Sequence, residues 1–387
     1  MNLSDQGGVP PARIGGEQRV TPLELFFDLV FVFALTQVTG FLTHHLTWIG
    51  MLQGAALLAA LWTAWEGYSW LTNAVPAEDV IPARLMIFCA MAAMFVASLA
   101  VPDAFGRYGV IFGVAYFVVQ LLQATLYALA TGRGPERQAI LRLAPGFLGG
   151  PALLIWAGFL DGYAQGALWA VALLIHYGVA YVRGVSGFRI HPGHLAERHG
   201  LIIIIALGES IVAIGVGASA VAMGPKVVVA AVLGVALAAA LWWAYFDLVM
   251  LTAERRLSAA QGEERARLAL DSYGYLHLPM VAGIVFAALG IEQTLAHVGE
   301  PLGTIPAAAL CGGVALYLLG HNAFRLREEG SVSVPRLVVA VVCLGLIPLG
   351  VSVSSILTLA VVALVVCGLA AFETATSREF RRALRTR

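Results

Sequence analysis

Long apolar runs separated by short polar breaks fill almost the whole chain. A helix needs roughly 20 apolar residues to cross a bilayer. The pattern predicts twelve such segments, at about 22–43, 48–72, 82–101, 108–131, 140–159, 163–183, 199–219, 226–251, 272–295, 303–324, 335–351 and 354–374. Pro145 and Pro151 interrupt the fifth, and a few residues near 352–354 separate the last two. The connections are too short for a soluble domain. The expected architecture is an all-α polytopic membrane protein: a tail at 1–20, a six-helix half at 21–190, a second at 191–376 and a basic tail at 377–387.

Charge gives the pattern a direction. If the chain crosses twelve times, all but Arg107 and Lys226 of its 23 basic residues fall on one side. By the positive-inside rule that side is cytoplasmic and holds both termini. Composition agrees with the class. Hydrophobic residues make up 60% and charged residues 12%, where a soluble domain is about 45–50% apolar and about 25% charged. Mean hydropathy is +0.85. Net charge is zero, so no bulk field recruits nucleic acid. The first 20 residues lack the basic-then-apolar order of a cleavable signal, so the first helix is expected to act as an uncleaved anchor. Cys89, Cys311, Cys343 and Cys367 all lie in apolar runs without metal or redox spacing.

The chain also resembles itself. Residues 57–72 (LLAALWTAWEGYSWLT) align with 237–252 (LAAALWWAYFDLVMLT), pairing Trp62 with Trp242 and Trp65 with Tyr245. Residues 34–37 (ALTQ) match 206–209 (ALGE), 91–99 resemble 281–289, and Arg142-Leu143 matches Arg336-Leu337. The order is kept, so the chain reads as a parallel 6+6 repeat. Transporters commonly place substrate between such halves.

Ionisable groups inside spans are costly and often mark function. The candidates for binding a solute or ion are Glu24, Asp28, Gln37, Glu66, Arg84, Glu209 and Asp247; His176, His199, His277 and His321 are candidate proton relays. Glu24 and Asp28 share a helix face at i, i+4 spacing, and two such carboxylates favour holding a proton or a cation. Arg84, or the first helix's own N-terminus, offers an alternative structural partner. Thr21-Pro22-Leu23-Glu24 reads as a capping box. Glu209 is the deepest acid, about 16 Å beyond Arg198. These groups gather in the cytoplasmic half and leave the outer half almost wholly apolar. Residues 191–199 (HPGHLAERH) suggest a metal site, but the spacing is wrong, and Glu197 and His199 are expected to cap the seventh span. Residues 253–271 form a charged amphipathic segment on the cytoplasmic side.

Two stretches carry a resemblance. Residues 19–37 (RVTPLELFFDLVFVFALTQ), and 194–201 (HLAERHGL) continuing to 206–210 (ALGES), resemble the two signatures of the bacterial low temperature requirement A (LtrA) family. The resemblance implies a polytopic protein of a bacterial plasma membrane. It implies no settled molecular activity, and it marks Glu24, Asp28, Gln37, Glu197, Arg198, His199, Gly208 and Glu209 as signature positions. Residues 27–36 are also similar, more weakly, to the first helix of an endolysosomal potassium-channel family built from six-span repeats.

The leading expectation is an ion- or proton-coupled transporter of a small solute or ion, with an acidic site between two six-helix halves. One alternative is a channel lined by spans 1 and 7. Another is a membrane enzyme acting on lipid, for which no DDxxD, GxSxG or HExxH motif is present. The residues imply no cofactor and no metal. The implied partners are the bilayer, anionic lipid at the cytoplasmic face for the 378–387 arginine cluster, and the solute; assembly into an oligomer stays open.

Overall fold

The structure, a computed structural model, describes residues 19–75, 77–131, 134–247 and 249–376. The C-terminal arginine cluster, most of the N-terminal tail, and Arg13 and Arg133 lie outside the described residues. Proline opens many of the helices, where its missing N–H and fixed φ fit the first turn. They are α1 (Pro22–His44), α2 (Trp48–Ala74), α3 (Ile81–Ala100), α4 (Gly109–Ala130), α5 (Pro135–Ala157), α6 (Gly162–Arg183), α7 (Pro192–Ser219) and α8 (Pro225–Phe246). There follow α9 (Val249–Ala259), α10 (Gly262–Leu268), α11 (His277–Ala296), α12 (Thr304–Glu329), α13 (Val334–Gly345), α14 (Ile347–Gly350) and α15 (Ser355–Thr376). A π-helical turn, Ala269–Tyr275, joins α10 to α11 without a break.

Among the described residues, 11 helices are long and apolar enough to cross a membrane. The expected crossing at 335–351 is not one of them. It divides into α13, of 12 residues, and α14, of 4. Gly345 ends the first piece and Pro348 lies in the second, which removes ladder hydrogen bonds. The stretch nevertheless runs from end to end of its neighbours. Arg336 near its start pairs with Glu373 near the end of α15. At the far end the Gly350 carbonyl accepts from Leu302 N at 2.9 Å, and Glu300 O accepts from Ser355 N at 2.7 Å. The fifth expected segment is a single helix that keeps both Pro145 and Pro151 inside it. Residues expected to form a charged amphipathic segment are α9 and α10.

The chain divides into two compact units. The first comprises the residues up to Ala34, Ala60–Arg198 and Gln261–Arg267; the second comprises Leu35–Ala59, His199–Ala260 and the residues from Leu268 onward. In the first, α3, α4, α5 and α6 pack in sequence order. Gly113 lets α4 approach α5 so closely that a Cβ there would lie 2.7 Å from the Ile155 backbone. In the second, α11 and α12 form the most buried pair. A Cβ on Gly283 would fall 2.6 Å from the Gly313 carbonyl, and one on Gly313 would fall 2.5 Å from Ala287 N. Small residues at such a crossing let backbones touch where lipid offers no hydrophobic drive. Gly330 closes α12 in the left-handed region, with φ 66.

Overpacking this crossing should loosen the second unit. Gly313→Leu is expected to lower thermal stability by about 1–3 kcal/mol or more, read as a lower unfolding temperature of the purified protein. Leucine at Gly312, which has nothing within 4 Å, should change little.

Candidate functional site

Among the described residues several polar clusters are buried, and three of them hold expected site residues. The first, in the first unit, matches one helix turn against another. Glu24 and Asp28 are one turn apart on α1; His194 and Arg198 are one turn apart on α7, so each pair shares a face. His194 Nε2 lies 2.9 Å from one Glu24 oxygen, and Arg198 Nη1 donates to Asp28 at 2.7 Å. All four side chains are at most 3% exposed. Trp65 Nε1 donates to the other Asp28 oxygen at 2.8 Å, and its ring lies 5.4 Å from the Arg198 guanidinium. Asn73 Nδ2 donates to His194 Nδ1 at 3.1 Å, which leaves the imidazole proton on Nε2, facing Glu24. Asn73 also brackets the His191 backbone, giving and receiving a hydrogen bond at 2.9 Å each. The expected capping box is present: Thr21 N donates to Glu24 at 2.7 Å, and Glu24 N to the Thr21 hydroxyl at 3.4 Å. The two carboxylates therefore face one cationic or imidazole partner each. Arg84 is not that partner: it is exposed and bonds the Glu78 carbonyl.

The second cluster, in the second unit, has the opposite character. Glu209 on α7 and Glu292 on α11 are 3% and 8% exposed. Glu209 accepts from the Thr36 hydroxyl at 2.9 Å, and Glu292 from Thr43 at 3.2 Å. The Thr43 hydroxyl shares its single hydrogen with the Thr39 carbonyl, 3.0 Å away, and Thr39 faces Glu209. These threonines stand at i, i+3 and i+7, a ladder of hydroxyls on α1 spanning both acids. Gly217, two turns beyond Glu209, brings α7 so near α11 that a Cβ would lie 2.5 Å from the Glu292 carbonyl. Among the described residues neither carboxylate makes an ion pair with Arg, Lys or His. Gln37 is half-buried on α1, one residue past Thr36.

The third cluster, also in the second unit, gathers three of the four expected relay histidines. His277 Nδ1 donates to the Ser272 carbonyl at 2.9 Å, and Tyr245 OH donates to its Nε2 at 2.9 Å. The π turn presents that carbonyl, as such turns often do at functional sites. His199 lies edge-on to His277, ring centres 4.9 Å apart, and His321 lies 5.8 Å from the Tyr245 ring. Arg336 donates to His321 Nδ1 at 2.9 Å and grips Glu373 with two nitrogens at 2.8 and 2.9 Å. His321 Nε2 is buried without a partner. Beyond Arg336 a cleft of about 500 Å³ opens at the end of the unit.

The remaining candidates stand apart. His176 packs on Phe147 in the first unit. Glu66 accepts from Trp70 Nε1 on its own helix. Asp247 is half-buried just past the end of α8. Glu197 does not cap α7; it accepts from Val20 N at 3.2 Å. His199 belongs to the aromatic cluster rather than to a cap. Sequence reasoning passed over Glu292, although it is a lone acid in the apolar run of α11. It also counted Arg198 and Arg336 as surface markers, whereas both are buried. The i, i+4 match of His194-x-x-x-Arg198 to Glu24-x-x-x-Asp28 was the available signal.

A family model described as "Bacterial low temperature requirement A protein (LtrA)" matches residues 19–371. The chain belongs to that family. An uncharacterized protein of Rhizobium meliloti (strain 1021), RA0937, is 35% identical over 314 residues, which is 77% of this chain and 75% of that protein. The two LtrA signature stretches are the ones that meet at the carboxylate, histidine and arginine residues of the first cluster.

Two consequences are measurable for this LtrA-family chain. Removing one member of a buried ion pair costs about 3–5 kcal/mol, because the other is left uncompensated. Asp28→Ala should therefore lower the unfolding temperature far more than the double variant Asp28→Leu/Arg198→Met. The second concerns His191, in the loop before α7. Its imidazole titrates below its ordinary value through partial burial, with His194, Arg265 and Arg189 adding positive charge nearby. The unfolded chain takes up that proton first, so the contribution of His191 is full above pH about 6.5 and is lost as pH falls through it. His191→Gln should flatten the loss of thermal stability between about pH 7 and 5.

Proposed function

We propose that this multi-pass membrane protein is a proton- or ion-coupled carrier of a small solute or ion, with Glu209 as the coupling group and Glu292 as its neighbour. The supporting observation is a contrast. Glu24 and Asp28 face Arg198 and His194 and act as struts. Among the described residues, Glu209 and Glu292 are hydrogen-bonded by threonine hydroxyls and by no such cation. An uncompensated charge in a low-dielectric interior is expensive, so a proton or a small cation is the economical way to neutralise the pair. The hydroxyl ladder Thr36, Thr39 and Thr43 supplies acceptors suited to either.

In this reading His199, His277 and His321 serve proton exchange between Glu209 and the cleft beside Arg336. The Tyr245–His277 hydrogen bond is one link, and the free Nε2 of His321 is a docking point for water or substrate. Twelve crossings, with 334–354 as a short broken one, put both termini in the cytoplasm of a bacterial plasma membrane. The end-to-end course of α13 and α14 supports that count. The internal duplication is supported by its aligned pair: Trp65 donates to Asp28 in one unit and Tyr245 to His277 in the other. The same reading makes the chain a carrier rather than an enzyme.

Flux in proteoliposomes tests this. A pH gradient should drive saturable solute or cation movement, Glu209→Gln should abolish coupling, and Thr36→Val should weaken it several-fold. Coupled flux that persists in both Glu209→Gln and Glu292→Gln would overturn the assignment. Large ohmic currents across planar bilayers would replace the carrier with a channel lined by α1 and α7, and turnover of a lipid by the purified protein would replace it with an enzyme.

A further inference from the structure

The cleft at the end of α12 is lined by Phe324, Glu328, Arg336, Phe372 and Glu373, among others. Its volume, about 500 Å³, is that of a small-molecule site. Most of its charges are already matched. Arg325 pairs with Glu329 and Arg336 with Glu373, each at 2.8 Å. Glu328 differs: it is 7% exposed, lines the cleft, and neither carboxylate oxygen has a hydrogen-bond partner. Arg327, bonded to Asp271, and Arg256 act on it electrostatically without hydrogen-bonding it. Ser272 faces Glu328, and the hydroxyls of Ser272 and Tyr273 are themselves buried without partners.

Orphaned buried polar atoms carry a desolvation penalty that a ligand relieves. The occupant must bring donors and positive charge to Glu328, tolerate two phenyl rings, and fill more space than a bare metal ion. We propose that this cleft binds a small organic ammonium ion, with the charged nitrogen donating to Glu328 and its alkyl part against Phe324 and Phe372. That the bound ion is cargo rests on the carrier reading; that it binds does not.

The test uses the full chain in lipid nanodiscs, with n-butylamine in its protonated form as probe, 1-butanol as the uncharged chain of equal length and sodium chloride as the inorganic cation. Calorimetry and thermal unfolding should show saturable binding of butylammonium and none of butanol. Glu328→Gln should weaken it by about tenfold or more, while Glu263→Gln, on the exposed face of α10, should bind as the parent does. If Glu328→Gln does not fold, Phe372→Ala carries the test, with several-fold weakening expected. Absence of saturable binding, equal affinity in the folded Glu328→Gln or Phe372→Ala variant, or an equal shift with sodium would each overturn the proposal. The readout is binding, so failure of coupled flux through Glu209 leaves this result untouched, and the reverse holds.

Discussion

Two carboxylates one turn apart on α1 meet an imidazole and a guanidinium one turn apart on α7, and the first unit is organised around that meeting. Buried charge in a membrane protein is tolerable when it is matched within hydrogen-bond distance. Here the match is geometric before it is electrostatic. The i, i+4 spacing on both helices fixes register, Trp65 and Asn73 hold the partners in place, and the capping box of α1 shares the Glu24 carboxylate. A one-residue slip of either helix would strand all four groups. The same helix goes on to carry His199 and Glu209.

The contrast with that match gives the other acids their meaning. The protein builds a full set of partners for Glu24 and Asp28, yet surrounds Glu209 and Glu292 with hydroxyls. A hydroxyl can donate to an ionised acid and accept from a protonated one, whereas a guanidinium has no acceptor and serves only the ion. Threonine-lined acids are therefore suited to changing state, and arginine-paired acids to keeping one. In the proposed carrier the His and Tyr cluster adds groups able to exchange protons, with the cleft beyond Arg336 as its opening.

Much of the fold was legible in the sequence because apolar length is a strong signal. Eleven of the expected crossings stand as long helices, and even Pro145 and Pro151 did not mislead, since a helix among helices tolerates them. The segment at 335–351 was legible as apolar but not as broken: Gly345 and Pro348 are local cues that average hydropathy hides. Site residues were half legible. Glu24, Asp28 and Glu209 stood out as acids in apolar runs, and Glu292 should have. The partners did not stand out, because Arg198 and Arg336 sit at span ends where arginine ordinarily marks the membrane surface. Telling a marker from a strut needs the facing helix, which periodicity in one segment does not contain. Arg84 failed for the same reason: it was chosen as a charge within a span, while the true partner of Asp28 lies 170 residues away.

The central claim is that Glu209 changes protonation or ion occupancy while Asp28 does not. Infrared difference spectroscopy of the protein in bilayers, stepped across pH, reads this directly. The account predicts a protonated-carboxyl band that titrates in the parent and in Asp28→Asn and disappears in Glu209→Gln. A titrating band that survives in Glu209→Gln and vanishes in Asp28→Asn would contradict it.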